Sequence, residues 1–237
     1  MPLRDHFRGA LAVRRHWHAF HNAWATAIAA GLNERLPMGY FAEPNVQFGI
    51  EIDVAAFEES GLAGPLPAVW TPPSPSRTVP LALGTDTVEV TVHATEGGPT
   101  LAGAVELVSP ANKDRREHRD AFVAKCETYL RQGVGLVVVD VVTSRRADLH
   151  GELLRRLELS EGPRADLLVT SYRPRRSPVE EALDLWEEPV EVGGRLPDLP
   201  LWLRGGLCVA ADLEGSYERT CRELRIPAVA QPSATGS

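Results

Sequence analysis

The chain has 237 residues, 43% of them hydrophobic and 24% charged, with a formal net charge of -7. That is the balance of a soluble globular protein and excludes a chain disordered throughout. The longest uncharged apolar run, Ala23 to Leu32, is about half of what a bilayer span needs, so a membrane-spanning helix is excluded as well.

The charge argues against an indiscriminate nucleic-acid coat protein, but not against a nuclease, whose site is often acidic and holds a divalent metal. The three cysteines, Cys126, Cys208 and Cys221, are odd in number and widely spaced. They form neither a disulfide framework nor a zinc-binding pair. With no export signal legible, a cytoplasmic location is expected. Of the 25 basic residues only Lys113 and Lys125 are lysines. In a chain that uses arginine so freely, a lysine marks a place where a compact ammonium serves and a planar guanidinium does not, or else survives by codon bias.

In chain order, His16 to Leu36 reads as an amphipathic helix. Trp17, His21, Trp24, Ile28 and Leu32 recur at three- and four-residue spacing. Tyr40 to Ala42 reads as a short strand and Val46 to Phe57 as another. Residues 59–80, rich in Pro, Gly and Ser, read as a loop. Val88 to Val92 and Leu101 to Val108 read as two strands of an antiparallel hairpin turning at Gly97-Gly98-Pro99. A helix over Asp114 to Gln132 closes at Gly133. The apolar run Val134 to Val142 is then a strand buried on both faces. A βαβ crossover would set it parallel to 101–108. A helix over 147–158 and strands at 166–172 and 207–210 follow, with a last helix from Glu214. The expectation is one α/β domain over residues 1–230 with a mixed sheet, and a disordered tail over 231–237.

The chemistry concentrates between Asp53 and Lys125. Glu106 lies in a strand whose same-face neighbours are Ala102, Ala104 and Val108. A carboxylate there is costly to bury unless it is paired or metal-bound. Asp53 poses the same problem between Ile52 and Val54. On adjacent strands the two would offer hard oxygen ligands to a divalent cation, Mg²⁺ or Mn²⁺. Lys125 flanks the buried stripe of its helix, and Glu106 is its natural partner. Each residue also has a plain structural reading: Asp53 facing solvent on an edge, Glu106 paired with an arginine, Lys125 extending to water, Lys113 in an ordinary loop. His16, His18 and His21 cluster beside Trp17 and Trp24. A metal site is conceivable there, but His16 and His18 do not share a helical face and His21 falls on the apolar stripe, so packing or capping is the expected role. Ser109 has no nucleophile frame, and no phosphate-binding glycine loop occurs.

Glu106-Leu-Val-Ser-Pro, then Lys125 with Tyr129 four residues on, Gly133-Val134 and the strand carrying Val139-Asp140 resemble the core of the Uma-type restriction endonucleases. These are bacterial members of the PD-(D/E)XK nuclease superfamily. Leu196-Pro-Asp-Leu-Pro and the final strand and helix stand in the place of that family's closing segment. The opening, from Trp17 to Tyr40, is similar to a related uncharacterised bacterial family. The resemblance implies a restriction-endonuclease-like αβββαβ core with a further C-terminal strand and helix. It also implies a metal held by Asp53, Glu106 and the Leu107 carbonyl, with Lys125 as the catalytic lysine. Val108 stands where the superfamily's usual lysine would be, so the lysine comes from the following helix, with Lys113 the alternative. Ile52 precedes Asp53 where a proline is usual, and Glu51 is the alternative first acid. The expected activity is metal-dependent hydrolysis of DNA phosphodiesters, by a monomer or a homodimer. The Arg14-Arg15, Arg115-Arg116-Arg119, Arg145-Arg146 and Arg173-Arg175-Arg176 clusters are read as a phosphate-contacting rim or as solvated charge. The rival readings are a nucleic-acid-binding module of the same fold with a degraded site, and a structural or interaction protein.

Overall fold

The computed structural model describes residues 2–48, 50–59, 70–81, 100–162, 164–176 and 181–226. Its elements run α1 (Gly9–Arg14), α2 (Trp17–Asn33), β1 (Tyr40–Phe48), β2 (Ile50–Glu58), β3 (Arg77–Pro80), β4 (Thr100–Leu107), a 3-10 turn (Ala111–Lys113), α3 (Arg116–Arg131), β5 (Gly135–Asp140), α4 (Leu149–Arg156), β6 (Leu168–Arg176), β7 (Glu181–Pro189), β8 (Asp198–Trp202), β9 (Cys208–Asp212) and α5 (Leu213–Glu223).

The described strands form a seven-stranded mixed sheet in the order β1-β2-β4-β5-β6-β7-β3 and a separate β8-β9 pair. Within the large sheet only β4 and β5 run parallel. Helix α3 joins them, as the crossover reading expects. The protein is therefore α/β with a mixed sheet.

Strand alternation sends side chains to two cores, one on each face. Val137, Val139 and Val169 point to the core built with Phe20, Trp24 and Ile28 of α2, Tyr217 of α5 and the β8-β9 pair. Leu136, Val138 and Tyr172 point to the core built with Phe122, Cys126 and Leu130 of α3 and Leu153 and Leu154 of α4. A register shift between Ala56 and Phe57 bulges β4 at Ala102. Beyond the bulge, Glu106 shares the α3 face with Ala104 and Val108.

Several expectations change. Val46 to Phe48 belong to β1, which continues through Pro44 opposite Val54 instead of stopping at Ala42. Proline is tolerated there because β1 is the last strand in the sheet order and one of its edges lacks a described partner. Arg77–Pro80 is not loop but strand β3, paired antiparallel to β7. The strand expected over 88–92, its Gly97-Gly98-Pro99 turn and the tail over 231–237 lie outside the described residues, and β4 is flanked instead by β2 and β5.

Candidate functional site

The site forms at the end of the sheet where the parallel strands β4 and β5 finish. The β2-β4 register runs through Val54 opposite Val105. Continued by one step it sets Asp53 across from Glu106, so the two acids do occupy adjacent strands.

Separate helices hold them. Glu106 is 1% exposed. Its Oε2 accepts from Lys125 Nζ at 2.7 Å and its Oε1 from the Tyr129 hydroxyl at 3.3 Å. Both donors come from one face of α3 at the i, i+4 spacing. Lys125 Nζ also lies 5.3 Å from the Phe122 ring centroid, a favourable cation–π placement. Burial pushes the Glu106 carboxyl up to about 7. Lys125 opposes that rise and the charge of Asp53 adds to it. Burial works against the Lys125 ammonium, yet Glu106 outweighs it and holds Lys125 above its ordinary pKa.

Asp53 is held from the other side. Its Oδ2 accepts from the Leu107 amide at 2.7 Å, and its Oδ1 lies 3.2 Å from His21 Nε2. The same nitrogen is 3.1 Å from the Leu107 carbonyl oxygen. Burial disfavours a charged His21, but the hydrogen bond and charge of Asp53 prevail and raise its pKa.

Alongside, Lys113 Nζ donates to Asp140 Oδ2 at 2.7 Å, with the lysine side chain 1% exposed. The loop reading of Lys113 is thus corrected: it is buried and paired at the end of β5. Both lysines of the chain make buried or largely buried ion pairs with carboxylates carried on neighbouring parallel strands.

Asp53, Glu106, Lys125 and the Leu107 carbonyl are brought to one sheet end. The side chain of Glu51, the alternative first acid, lies outside the described residues. Sequence reasoning gave His21 a packing or capping role on the apolar stripe and missed its link to the acids: it turns toward Asp53 from the flank of α2. The signal available was its position one residue after the buried Phe20, where a helix face turns from core to rim. Among the described residues no group of three or more His, Cys, Asp or Glu side chains is spaced to hold a metal ion. The donors able to take part in a cation site here are two carboxylates, one main-chain carbonyl and one imidazole. That set is chemically suited to a divalent ion.

Of the four arginine clusters, Arg115-Arg116-Arg119 opens α3 and Arg145-Arg146 follows β5, both at this sheet end. Arg14-Arg15 precedes α2, and Arg8 donates to the Thr143 carbonyl nearby. Arg173, Arg175 and Arg176 end β6, which is antiparallel to β5, and so lie at the opposite end. There Arg175 pairs with Asp184 and Arg173 stacks 3.4 Å over the Trp202 ring. They do not belong to a rim around Glu106.

The chain matches no family model, and neither a curated protein nor a solved structure is significantly similar to it. Among the described residues no helix is long and apolar enough to cross a membrane.

Proposed function

We propose that the protein is a metal-dependent endonuclease-like hydrolase acting on DNA phosphodiester bonds, with a restriction-endonuclease-like core. The observation that carries this reading is the 2.7 Å Glu106–Lys125 pair set beside Asp53 at the end of the only parallel strand pair among those described. The order α2-β1-β2-β3-β4-α3-β5 supports it: β3 pairs with β7 at the far edge of the sheet, and the adjacent strands β1, β2 and β4 between α2 and α3-β5 leave the helix, three strands, helix and strand that the resemblance implies.

In this reading Asp53, Glu106 and the Leu107 carbonyl hold Mg²⁺ or Mn²⁺. When bound, the cation polarises the phosphoryl oxygen and lowers the pKa of a water. Lys125 Nζ, fixed by Glu106 Oε2, orients that water and stabilises the charge gathering on phosphorus. The proton of the attacking water leaves to solvent. The new bond joins the water oxygen to phosphorus, and the leaving oxygen departs with the electron pair of the broken bond. Arg8, Arg115, Arg116, Arg145 and Arg146 are the proposed phosphate contacts. A cytoplasmic location and a homodimer, whose test is sedimentation, belong to the same proposal.

The test is cleavage of plasmid DNA with Mg²⁺ or Mn²⁺, comparing wild type with Lys125→Arg, Glu106→Gln and Lys113→Arg at equal folded concentration. Loss in Lys125→Arg and Glu106→Gln is expected, because guanidinium is planar, bulky and permanently protonated where a point charge is required. Loss confined to Lys113→Arg would move the catalytic role to Lys113. Full activity in all variants would remove the reading.

One observation favours the second reading, a binding module that does not cut. Each carboxylate already has a cationic or hydrogen-donating side-chain partner, Glu106 in Lys125 and Asp53 in His21. Wild type that retains DNA without cutting it would support that alternative. The assembly reading has less to stand on, for the exposed large hydrophobics among the described residues are Val13, Met38 and Val192.

A further inference from the structure

We propose that His21 is a nitrogen ligand of the cation site, making it selective for Mn²⁺ over Mg²⁺. This rests on the metal-dependent reading above and adds a residue to it from the opposite layer of the fold.

The argument begins with distances. His21 Nε2 lies 3.2 Å from Asp53 Oδ1 and 3.1 Å from the Leu107 carbonyl oxygen. Neighbouring ligand atoms around an octahedral cation with bonds of about 2.1 Å are separated by about 3.0 Å. Each oxygen therefore already stands near the spacing of a ligand adjacent to Nε2. What they now share is the proton on Nε2. A cation entering between them replaces that proton, which leaves to solvent.

The surroundings fix the arrangement. Asp53 Oδ2 is tied to the Leu107 amide at 2.7 Å, which aims Oδ1 at the imidazole. His21 Nδ1 faces the Asn22 side-chain oxygen at 3.4 Å, and Asn22 Nδ2 in turn faces His18 Nε2 at 3.3 Å. Metal-binding histidines commonly donate their second nitrogen to such an acceptor, which leaves the first free to ligate. The Trp17 ring meets His21 edge-on at 5.9 Å and limits its rotation. With the imidazole added to the oxygens of Asp53, Glu106 and the Leu107 carbonyl, the mixed donor set suits a borderline transition ion better than Mg²⁺, which prefers an all-oxygen shell and keeps its waters.

The experiment is calorimetric titration of the full chain with Mn²⁺ and with Mg²⁺, for wild type, His21→Gln and Asp53→Asn. Spin-echo spectroscopy of the Mn²⁺ complex reads ¹⁴N coupling without any substitution. Wild type is expected to bind Mn²⁺ more tightly than Mg²⁺ and to show imidazole ¹⁴N modulation. His21→Gln should lose at least about tenfold in Mn²⁺ affinity while its Mg²⁺ affinity changes far less. Asp53→Asn should lose both. Thermal melts check that the variants fold, and the ¹⁴N signal decides the matter if they do not. Mn²⁺ bound with no ¹⁴N coupling, or equally by His21→Gln, overturns the ligand and leaves the nuclease reading standing. Mn²⁺ bound through His21 by a protein that never cleaves DNA overturns the nuclease reading and leaves the ligand. No Mn²⁺ binding by wild type overturns both.

Discussion

His6 shows how one buried titratable group ties stability to pH. Its Nε2 lies 2.8 Å from the Tyr217 hydroxyl, and its ring packs 4.0 Å from Phe20. Burial, helped by Arg4, lowers its pKa from 6.5 to about 4. The folded chain therefore refuses a proton that the unfolded chain accepts between those values. The stabilisation is complete above the unfolded pKa and is lost as pH falls through the window toward 4, a swing of up to about 3 kcal/mol. Urea unfolding at pH 7 and pH 4.5 should show a smaller acid loss in His6→Gln than in wild type. An equal loss in the two would assign the acid sensitivity elsewhere. Lys113 is a different case, a charge whose partner is also buried. Lys113→Met strands Asp140 and should cost about 3–5 kcal/mol in chemical denaturation, whereas Lys113→Met with Asp140→Leu should recover much of it. A double variant no better than the single one would mean the pair itself, not the stranded acid, carries the stability.

Two helices start with one device. Asp148-Leu-His-Gly151 and Asp212-Leu-Glu-Gly215 open α4 and α5, and each aspartate accepts from the glycine amide three residues on, at 2.8 and 2.6 Å. A Cβ at either glycine would fall 2.3 or 2.4 Å from the capping carboxylate, so the small residue and the cap go together. Asp212→Ala should lower stability by about 1 kcal/mol. Gly135→Ala should cost far more, about 3 kcal/mol or above. Its Cβ would sit 1.8 Å from the Trp202 carbonyl oxygen, so β5 and β8 would have to part. Thermal melts of the two variants check the order, and a mild Gly135→Ala would mean that β8 yields easily. The shared D-L-x-G of the two caps went unread in the sequence, whereas α2 was legible from its apolar spacing, α3 from its stop at Gly133 and β5 from its continuous apolar run. Strand β7 was not, because Asp184 and Glu187 interrupt its apolar run and are buried through partners on other elements, Asp184 with Thr78, Arg173 and Arg175, and Glu187 with Arg77 and His150. Strand β3 was hidden in the same way: four residues after a proline-rich stretch acquire strand character only by pairing with β7. The tie of His21 to the acids was not legible because its partners, Asp53 and Leu107, arrive from two different strands.

At the scale of the whole molecule, charge is distributed by sheet end. The arginines at 115–119 and 145–146 gather where β4 and β5 finish, while those at 173–176 are carried to the far end by the antiparallel course of β6. If DNA meets the Glu106 end, Arg145→Glu with Arg146→Glu should weaken binding severalfold and flatten its salt dependence, and Arg176→Glu should do neither. Fluorescence anisotropy across a salt series checks this, and equal effects at both ends would mean only non-directional attraction. The burial of both lysines has a consequence of another kind. With the Lys113 and Lys125 side chains 1% and 16% exposed and each ammonium held by a carboxylate, the folded chain presents hardly any lysine amine to acylating enzymes or reagents. Regulation through surface lysine marks is closed to it. Conversely, acylation of Lys113 waits for the chain to open, so its rate of labelling is a built-in clock for unfolding.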